Sequence, residues 1–265
     1  MSAPVLRLDS VAWKVGWTKT IISDIDLAFR AGQLSALIGP SGCGKTTVLK
    51  CLLTLLRPST GKASWDGSDL WPQRRQWRAR VGYVPQDDVV HTALTVRQAL
   101  TYAARLRLDA GTEAAAIDKR VESIARLLGL DERLKLRIAR LSGGQRKRVN
   151  IGVELVADPD ILVLDEPASG LDPATEGDLV HLLKGLAAAG RLVVMTTHSM
   201  EYLDECHKVV LLMKGRVVFS GSAPEMLAHF SAPHPAEVFR VLRTADADDW
   251  ASRWRGSPLS ARAAA

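Results

Sequence analysis

The sequence predicts an α/β protein with a mainly parallel sheet and a helical subdomain inserted partway along. Three observations carry this. Short apolar runs at Leu34–Ile38, Ile161–Leu164, Leu192–Thr196 and 209–213 lack alternation, as strands covered on both faces do. Helical stretches at 173–189 and 200–205 separate the later runs, and strands alternating with helices make parallel sheets. Between about residues 96 and 157 the period becomes helical: Val96, Ala99, Leu100 and Ala103 follow i, i+3, i+4, i+7, and Val121, Ile124, Ala125 and Leu128 repeat it.

In chain order, residues 5–8, 25–29 and Leu34–Ile38 read as strands, with turn chemistry at Ala31-Gly32. A Gly-rich loop follows, then a helix over 45–56. Residues 64–65 with Asp66-Gly67 read as a short strand and turn, and 80–84 as another strand. A helix over 145–157 closes the helical region. After residue 230 the pattern weakens: 229–254 carry a few apolar positions among Pro, Asp and Arg, enough for two short helices, and 257–265 read as frayed.

The 265 residues suit one large domain, or one domain with a smaller subdomain. With 47% hydrophobic and 24% charged residues, a packed core is available and disorder is excluded as the main state. No apolar run approaches the roughly 18 residues that span a bilayer. The start, MSAPVLRLDS, has no basic region leading into an apolar stretch and does not read as a secretory signal. Three widely spaced cysteines exclude a disulfide scaffold and a Cys-rich zinc site, and point to a reducing compartment. The net charge of +6 fits a nucleotide-binding protein, a membrane-surface protein or a plain solvated surface, and does not by itself argue for nucleic acid. Residues 133–148 hold seven Lys or Arg and read equally well as a solvated face.

Gly39-Pro40-Ser41-Gly42-Cys43-Gly44-Lys45-Thr46-Thr47 satisfies G-x4-G-K-[ST] between an apolar strand and a helix, the context in which that motif holds phosphate. Its glycines let successive N–H groups turn inward as an anion nest, and the helix N-terminus adds a favourable field. Lys45 supplies a charge for the β- and γ-phosphates, and the Thr46 hydroxyl can ligate Mg²⁺. Cys43 has two readings: a thiol activated by the helix N-terminus, or a position that tolerates a small side chain.

The strand Ile161–Leu164 ends in Asp165-Glu166, 120 residues after Lys45. Asp165 is placed to orient Mg²⁺ and Glu166 to polarise an attacking water. Leu141-Ser142-Gly143-Gly144-Gln145 opens the helix over 145–157, a second anion-binding N-terminus. Two chains facing head to tail would set each Ser142 against the γ-phosphate bound by the other's Lys45, so hydrolysis would depend on dimerisation.

On these residues the sequence resembles the nucleotide-binding domain of ATP-binding cassette (ABC) transporters. The resemblance implies a P-loop NTPase fold: a RecA-like core with a mainly parallel sheet, an N-terminal antiparallel β part and an inserted α-helical signature subdomain at about 87–157. It implies that Trp13, 26 residues before the loop, stacks on adenine, with Trp17 as second candidate. Val81-Gly82-Tyr83-Val84-Pro85-Gln86 resembles the Q-loop, in which Gln86 reaches Mg²⁺ and the attacking water. Ser169-Gly170-Leu171-Asp172 resembles the D-loop, which lies across the dimer interface, and His198 resembles the switch histidine on the γ-phosphate. The stretches Gln86-Asp87-Asp88 to Leu94-Thr95-Val96, Arg146 to Leu155, and 215–230 resemble the G-type (eye pigment and multidrug) subfamily. Residues 231–265 resemble, less specifically, the connector that leads into that subfamily's membrane domain.

The resemblance implies an ATPase powering an exporter from the cytoplasmic face of a membrane. Its cofactors would be ATP and Mg²⁺, and its partners a second copy and a transmembrane domain, supplied by a separate polypeptide or by a longer native chain. Residues 87–100 are the expected docking segment, where Val89, Val90 and Leu94 are either exposed contacts or core. Two alternatives stand beside this reading: a soluble ABC protein acting on ribosomes or nucleic acid, and a module that senses ATP without hydrolysing it. Only 96 residues separate Lys45 from Leu141, too few for the long coiled coils of chromosome and repair members.

Overall fold

The computed structural model describes residues 3–16 and 19–260, so Trp17 lies outside the described residues. The chain opens with an antiparallel pair, β1 (Val5–Val15) and β2 (Lys19–Arg30), then enters β3 (Leu34–Ile38), the phosphate loop and α1 (Lys45–Leu52). β4 (Thr60–Trp65), β5 (Ser68–Asp69), α2 (Arg74–Ala79) and β6 (Val81–Val84) follow. The helical region contains α3 (Val96–Arg107), α4 (Ala114–Leu127) and α5 (Gly143–Leu155). The second half runs β7 (Ile161–Leu164), α6 (Pro173–Ala188), β8 (Leu192–Thr196), β9 (Lys208–Met213) and β10 (Arg216–Gly221). It ends in α7 (Ala223–His229), α8 (Pro235–Leu242) and α9 (Ala247–Arg255).

Two sheets result. One has the order β2-β1-β4-β5 and is antiparallel throughout. The other has the order β10-β9-β3-β8-β7-β6, parallel except for the β9–β10 hairpin. Every residue of β3, β7 and β8 is buried, which is why these strands read as unbroken runs. The four predicted positions of α3 are all buried, as are Val121, Ile124, Ala125 and Leu128. One apolar stripe per helix is what packs this subdomain.

The structure departs from the sequence reading in several places. The expected helix over 200–205 is a single 3₁₀ turn, Leu203–Glu205. A segment this short closes too few i→i−4 bonds to repay the cost of a first turn, and the turn before it is held by Ser199 N–H donating to Thr197 Oγ1 (3.0 Å) and Glu201 N–H to Ser199 Oγ (3.4 Å). α1 stops at Leu52, four residues early, and the chain turns through Thr54, which has positive φ (53°). α2 and β10 were not expected, being too short or too evenly apolar to announce a period. The C-terminal segment is well packed where the sequence pattern is weak. Trp250 and Trp254 are buried in an aromatic cluster with Phe219 and Phe230, with ring centroids 5.1 Å apart for Phe219–Trp254 and 5.2 Å for Phe230–Trp250.

The parallel register has one consequence for function. β3, β8, β7 and β6 all point the same way, so the residues that follow them emerge at one edge of the sheet. Those residues are the phosphate loop after β3, Thr197 and His198 after β8, Asp165-Glu166 after β7, and Pro85-Gln86 after β6. In open α/β sheets that edge is where ligands bind.

Candidate active site

The phosphate loop is built by close backbone packing. Gly39 has φ 147°, and a Cβ there would lie 2.3 Å from the Leu212 carbonyl oxygen, so only glycine fits. The β9–β10 turn braces the loop, because Gly215 N–H donates to the Cys43 carbonyl (2.9 Å). Lys45 is buried, with its ammonium donating to the carbonyls of Gly39 (2.9 Å) and Pro40 (3.3 Å). Gly44 caps α1 in the left-handed region, leaving the first N–H groups of the helix without a side-chain cap. Ser41, Gly42 and Thr46 are exposed, and Thr47 is half-buried.

Cys43 is buried, and burial pushes its thiol up from the ordinary value, with Lys45 opposing the shift. The activated-thiol reading is therefore corrected, and the small-side-chain reading stands.

The two acids sit in contrasting surroundings. Asp165 is buried and accepts a hydrogen bond from Thr196 Oγ1 at Oδ1 (2.6 Å). Glu166 has positive φ (48°), and its N–H donates to the same Thr196 hydroxyl (2.8 Å). Its carboxylate gathers the other predicted catalytic groups: Oε2 accepts from Gln86 Nε2 (3.2 Å) and lies 3.5 Å from His198 Nδ1. The Glu166 side chain is 20% exposed and that of His198 66%, so the cluster opens to solvent on the histidine side.

The donors assigned to Mg²⁺ are the Thr46 hydroxyl, the Gln86 amide and the Asp165 carboxylate. This all-oxygen set suits a hard cation, and it is too small to cage one alone. Among the described residues no group of three His, Cys, Asp or Glu side chains could hold a metal. The set therefore fits a cation that arrives on phosphate oxygens.

The Ser142–Gln145 turn is preorganised. Ser142 Oγ accepts from Gln145 N–H (3.3 Å), and Gln145 Oε1 accepts from Ser142 N–H (3.2 Å), a capping box that starts α5. Gly144 is required by packing, since a Cβ there would meet Thr175 Cγ2 at 2.4 Å. Thr175 in turn donates its hydroxyl to Asp172 (2.6 Å), which also caps α6 through Thr175 N–H (3.0 Å). These bonds hold the Asp172 carboxyl below the usual range. Leu171 lies against Gly143, with Ser169 and Gly170 forming the turn before it. Among the described residues no hydrogen bond or ion pair joins the Ser142–Gln145 turn to the phosphate loop of the same chain.

Trp13 is half-buried on β1 opposite Ile22, and Ile22 Cγ2 is the atom a Cβ at Gly44 would meet. The ring therefore belongs to the strand pair that flanks the phosphate loop. In the docking segment Val89 is 58% exposed, whereas Val90 and Leu94 are half-buried against the core.

Sequence reasoning missed the residues that fix Gln86. Lys147 Nζ donates to the Gln86 carbonyl (2.6 Å) and pairs with Asp88 (3.2 Å). Asn150 donates to Asp88 Oδ1 (2.9 Å) and accepts from Val89 N–H (3.1 Å). Residues 86–89 are thus tied to α5. Three of the cations in the basic run 133–148 are engaged internally: Lys147 as above, Arg146 near Asp88 (4.0 Å), and Arg148 on the Leu128 carbonyl (3.1 Å). Thr196 was also missed, although a polar residue closing a strand buried on both faces is a usable signal.

The sequence pattern of the ABC transporter family matches residues 22–169. The chain is 40% identical over 241 residues to an ABC transporter ATP-binding/permease protein of Mycobacterium tuberculosis, covering 89% of this chain and 28% of that protein. It is 36% identical over 247 residues to ABC transporter G family member 26 of Arabidopsis thaliana, covering 87% and 36%. It is 32% identical over 239 residues to Nod factor export ATP-binding protein I of Ralstonia nicotianae, covering 90% and 73%. A solved ATP-binding subunit of an ABC transporter superposes with a TM-score of 0.75 at 26% identity, over 90% of this chain and 99% of that one. The chain spans about a third of the length of the first two relatives.

Proposed function

The chain belongs to the ABC transporter family, and from that premise we propose that it binds and hydrolyses ATP to drive an exporter. The observation that carries this reading is the convergence of Gln86 and His198 on Glu166 Oε2, at the sheet edge that also bears the phosphate loop. Lys45 and the loop N–H groups hold the β- and γ-phosphates. Glu166 accepts the proton of the attacking water, Gln86 orients that water, and His198 contacts the γ-phosphate. Trp13 stacks on adenine. Thr46, Gln86 and Asp165 would hold Mg²⁺, which would neutralise phosphate charge there.

Residues 1–230 form the ATPase domain, with 87–157 as its signature subdomain and 231–265 as the connector. The machine works as a pair, in which Ser142, Gly143, Gly144 and Gln145 of one copy face the nucleotide of the other and the segment Ser169–Asp172 lies along the interface. A γ-phosphate bridging two copies favours the closed pair, which is the differential binding that any ligand-driven change requires. The partner is a transmembrane domain, so the chain works at the cytoplasmic face of the membrane; among the described residues no helix is long and apolar enough to cross it. The Nod factor export relative supports export as the direction.

Phosphate release from Mg-ATP tests this reading. Glu166→Gln is expected to lower turnover by a factor of about 100 or more while ATP still binds, the range for losing a general base. Unchanged turnover in that variant would remove Glu166 from the role.

A further inference from the structure

We propose that Thr196 is a positioning residue whose single hydroxyl sets both carboxylates of the site; the proposal rests on the reading of Glu166 as the base. A threonine hydroxyl has one proton to donate and lone pairs to accept with. Here the proton goes to Asp165 Oδ1 (2.6 Å), and a lone pair takes the N–H of Glu166 (2.8 Å). Thr196 is fully buried at the end of β8, so removing its hydroxyl leaves buried polar groups that must be satisfied elsewhere.

Each bond has a distinct effect. With Oδ1 engaged, the Asp165 carboxylate is held in one orientation, and Oδ2 is left without a side-chain donor among the described residues, available to the metal's hydration shell. The bond to Glu166 N–H fixes the main chain at φ 48°, a region that residues other than glycine seldom enter. That conformation aims the Glu166 side chain at Gln86 and His198. The chain leaves β8 at Thr196 and reaches His198 two residues later, so the clamp on the two acids and the histidine that meets them sit at the same strand end.

Val is nearly isosteric with Thr and lacks both hydrogen bonds, whereas Ser keeps them. Four proteins are compared: wild type, Thr196→Val, Thr196→Ser and Glu166→Gln. The readouts are kcat and KM for Mg-ATP, Kd for a fluorescent ATP analogue, and thermal unfolding. Thr196→Val is expected to lose about 30- to 100-fold in kcat, the scale of a misplaced catalytic group, with Kd within about twofold of wild type. Thr196→Ser is expected to stay within about threefold of wild type in kcat. Should Thr196→Val not fold, Thr196→Ala takes its place. Full turnover in Thr196→Val beside an inactive Glu166→Gln overturns the proposal and leaves the base in place. Full turnover in Glu166→Gln overturns the reading on which the proposal rests. Equal losses in Val and Ser, or a loss of ATP affinity parallel to kcat, also overturn it, because they assign Thr196 a packing role.

Discussion

Cys43 sits between Gly42 and Gly44 beside a buried lysine, a setting that lowers a thiol pKa when it is open to water. Here desolvation outweighs the Lys45 charge and the thiol is pushed up instead. Cys51 and Cys206 are driven further, each to about 12, by burial. Native protein is therefore expected to show no fast-reacting thiol toward an aromatic disulfide reagent at neutral pH, and all three after denaturation. Rapid labelling of one native thiol with loss of ATP binding would restore the reactive reading of Cys43. The linkage has a definite sign. A folded pKa raised from 9.0 to about 12 contributes stability that is present below pH 9 and is lost as pH climbs toward 12. The stability difference between wild type and Cys51→Ala should shrink as pH rises from 9 in urea titrations. Residue identities that define a motif were legible in the sequence, since Lys45, Glu166 and His198 stand at fixed offsets. The environment of each was not, because burial of Cys43 and the bond from Thr196 depend on strands far apart in the chain.

Helix α5 does more than present the Ser142 turn. Lys147 and Asn150 hold residues 86–89, and Glu154 takes the N–H of Tyr83 (3.1 Å) on β6, the sheet's last strand, while pairing with Arg107 of α3 (2.6 Å). The edge strand's unpaired N–H is thereby satisfied from the helical subdomain. Burial pushes the Glu154 carboxyl up, and Arg107 opposes it. Gln86 is thus tied to α5 through its carbonyl and to Glu166 through its side chain, so a chain of hydrogen bonds runs from α5 to Glu166. Lys147→Met removes a charged hydrogen bond and is expected to cost about 1.5–3 kcal/mol of stability, read by urea denaturation, and to lower turnover more than ATP affinity. Wild-type stability and turnover in that variant would show the clamp to be idle. Helical periodicity revealed α3 and α4 because each buries one stripe. It failed over 200–205, a segment too short to close enough i→i−4 bonds, of which only Leu203–Glu205 turns as a 3₁₀ helix.

In the whole molecule, the C-terminal helices complete the core. α9 packs Trp254 against Phe219 of β10, and Trp250 donates its indole N–H to the Leu242 carbonyl (3.2 Å). Arg216, beside the β9–β10 turn that braces the phosphate loop, pairs with Asp24 of β2 and with Asp248 of α9 (2.7 Å). Trp254→Ala is expected to cost about 3–5 kcal/mol, the usual range for emptying a buried aromatic site, with a lower urea midpoint. A midpoint equal to wild type would detach α9 from the core. This packing was hidden in the sequence because its partners lie in separate elements and share no period. The pairing of two copies is a proposal that rests on two anion-binding helix ends in one chain. Light scattering of Glu166→Gln on a sizing column, with and without Mg-ATP, tests that arrangement. The account expects the mass of one chain without nucleotide and of two with it. A single-chain mass at saturating Mg-ATP would contradict it.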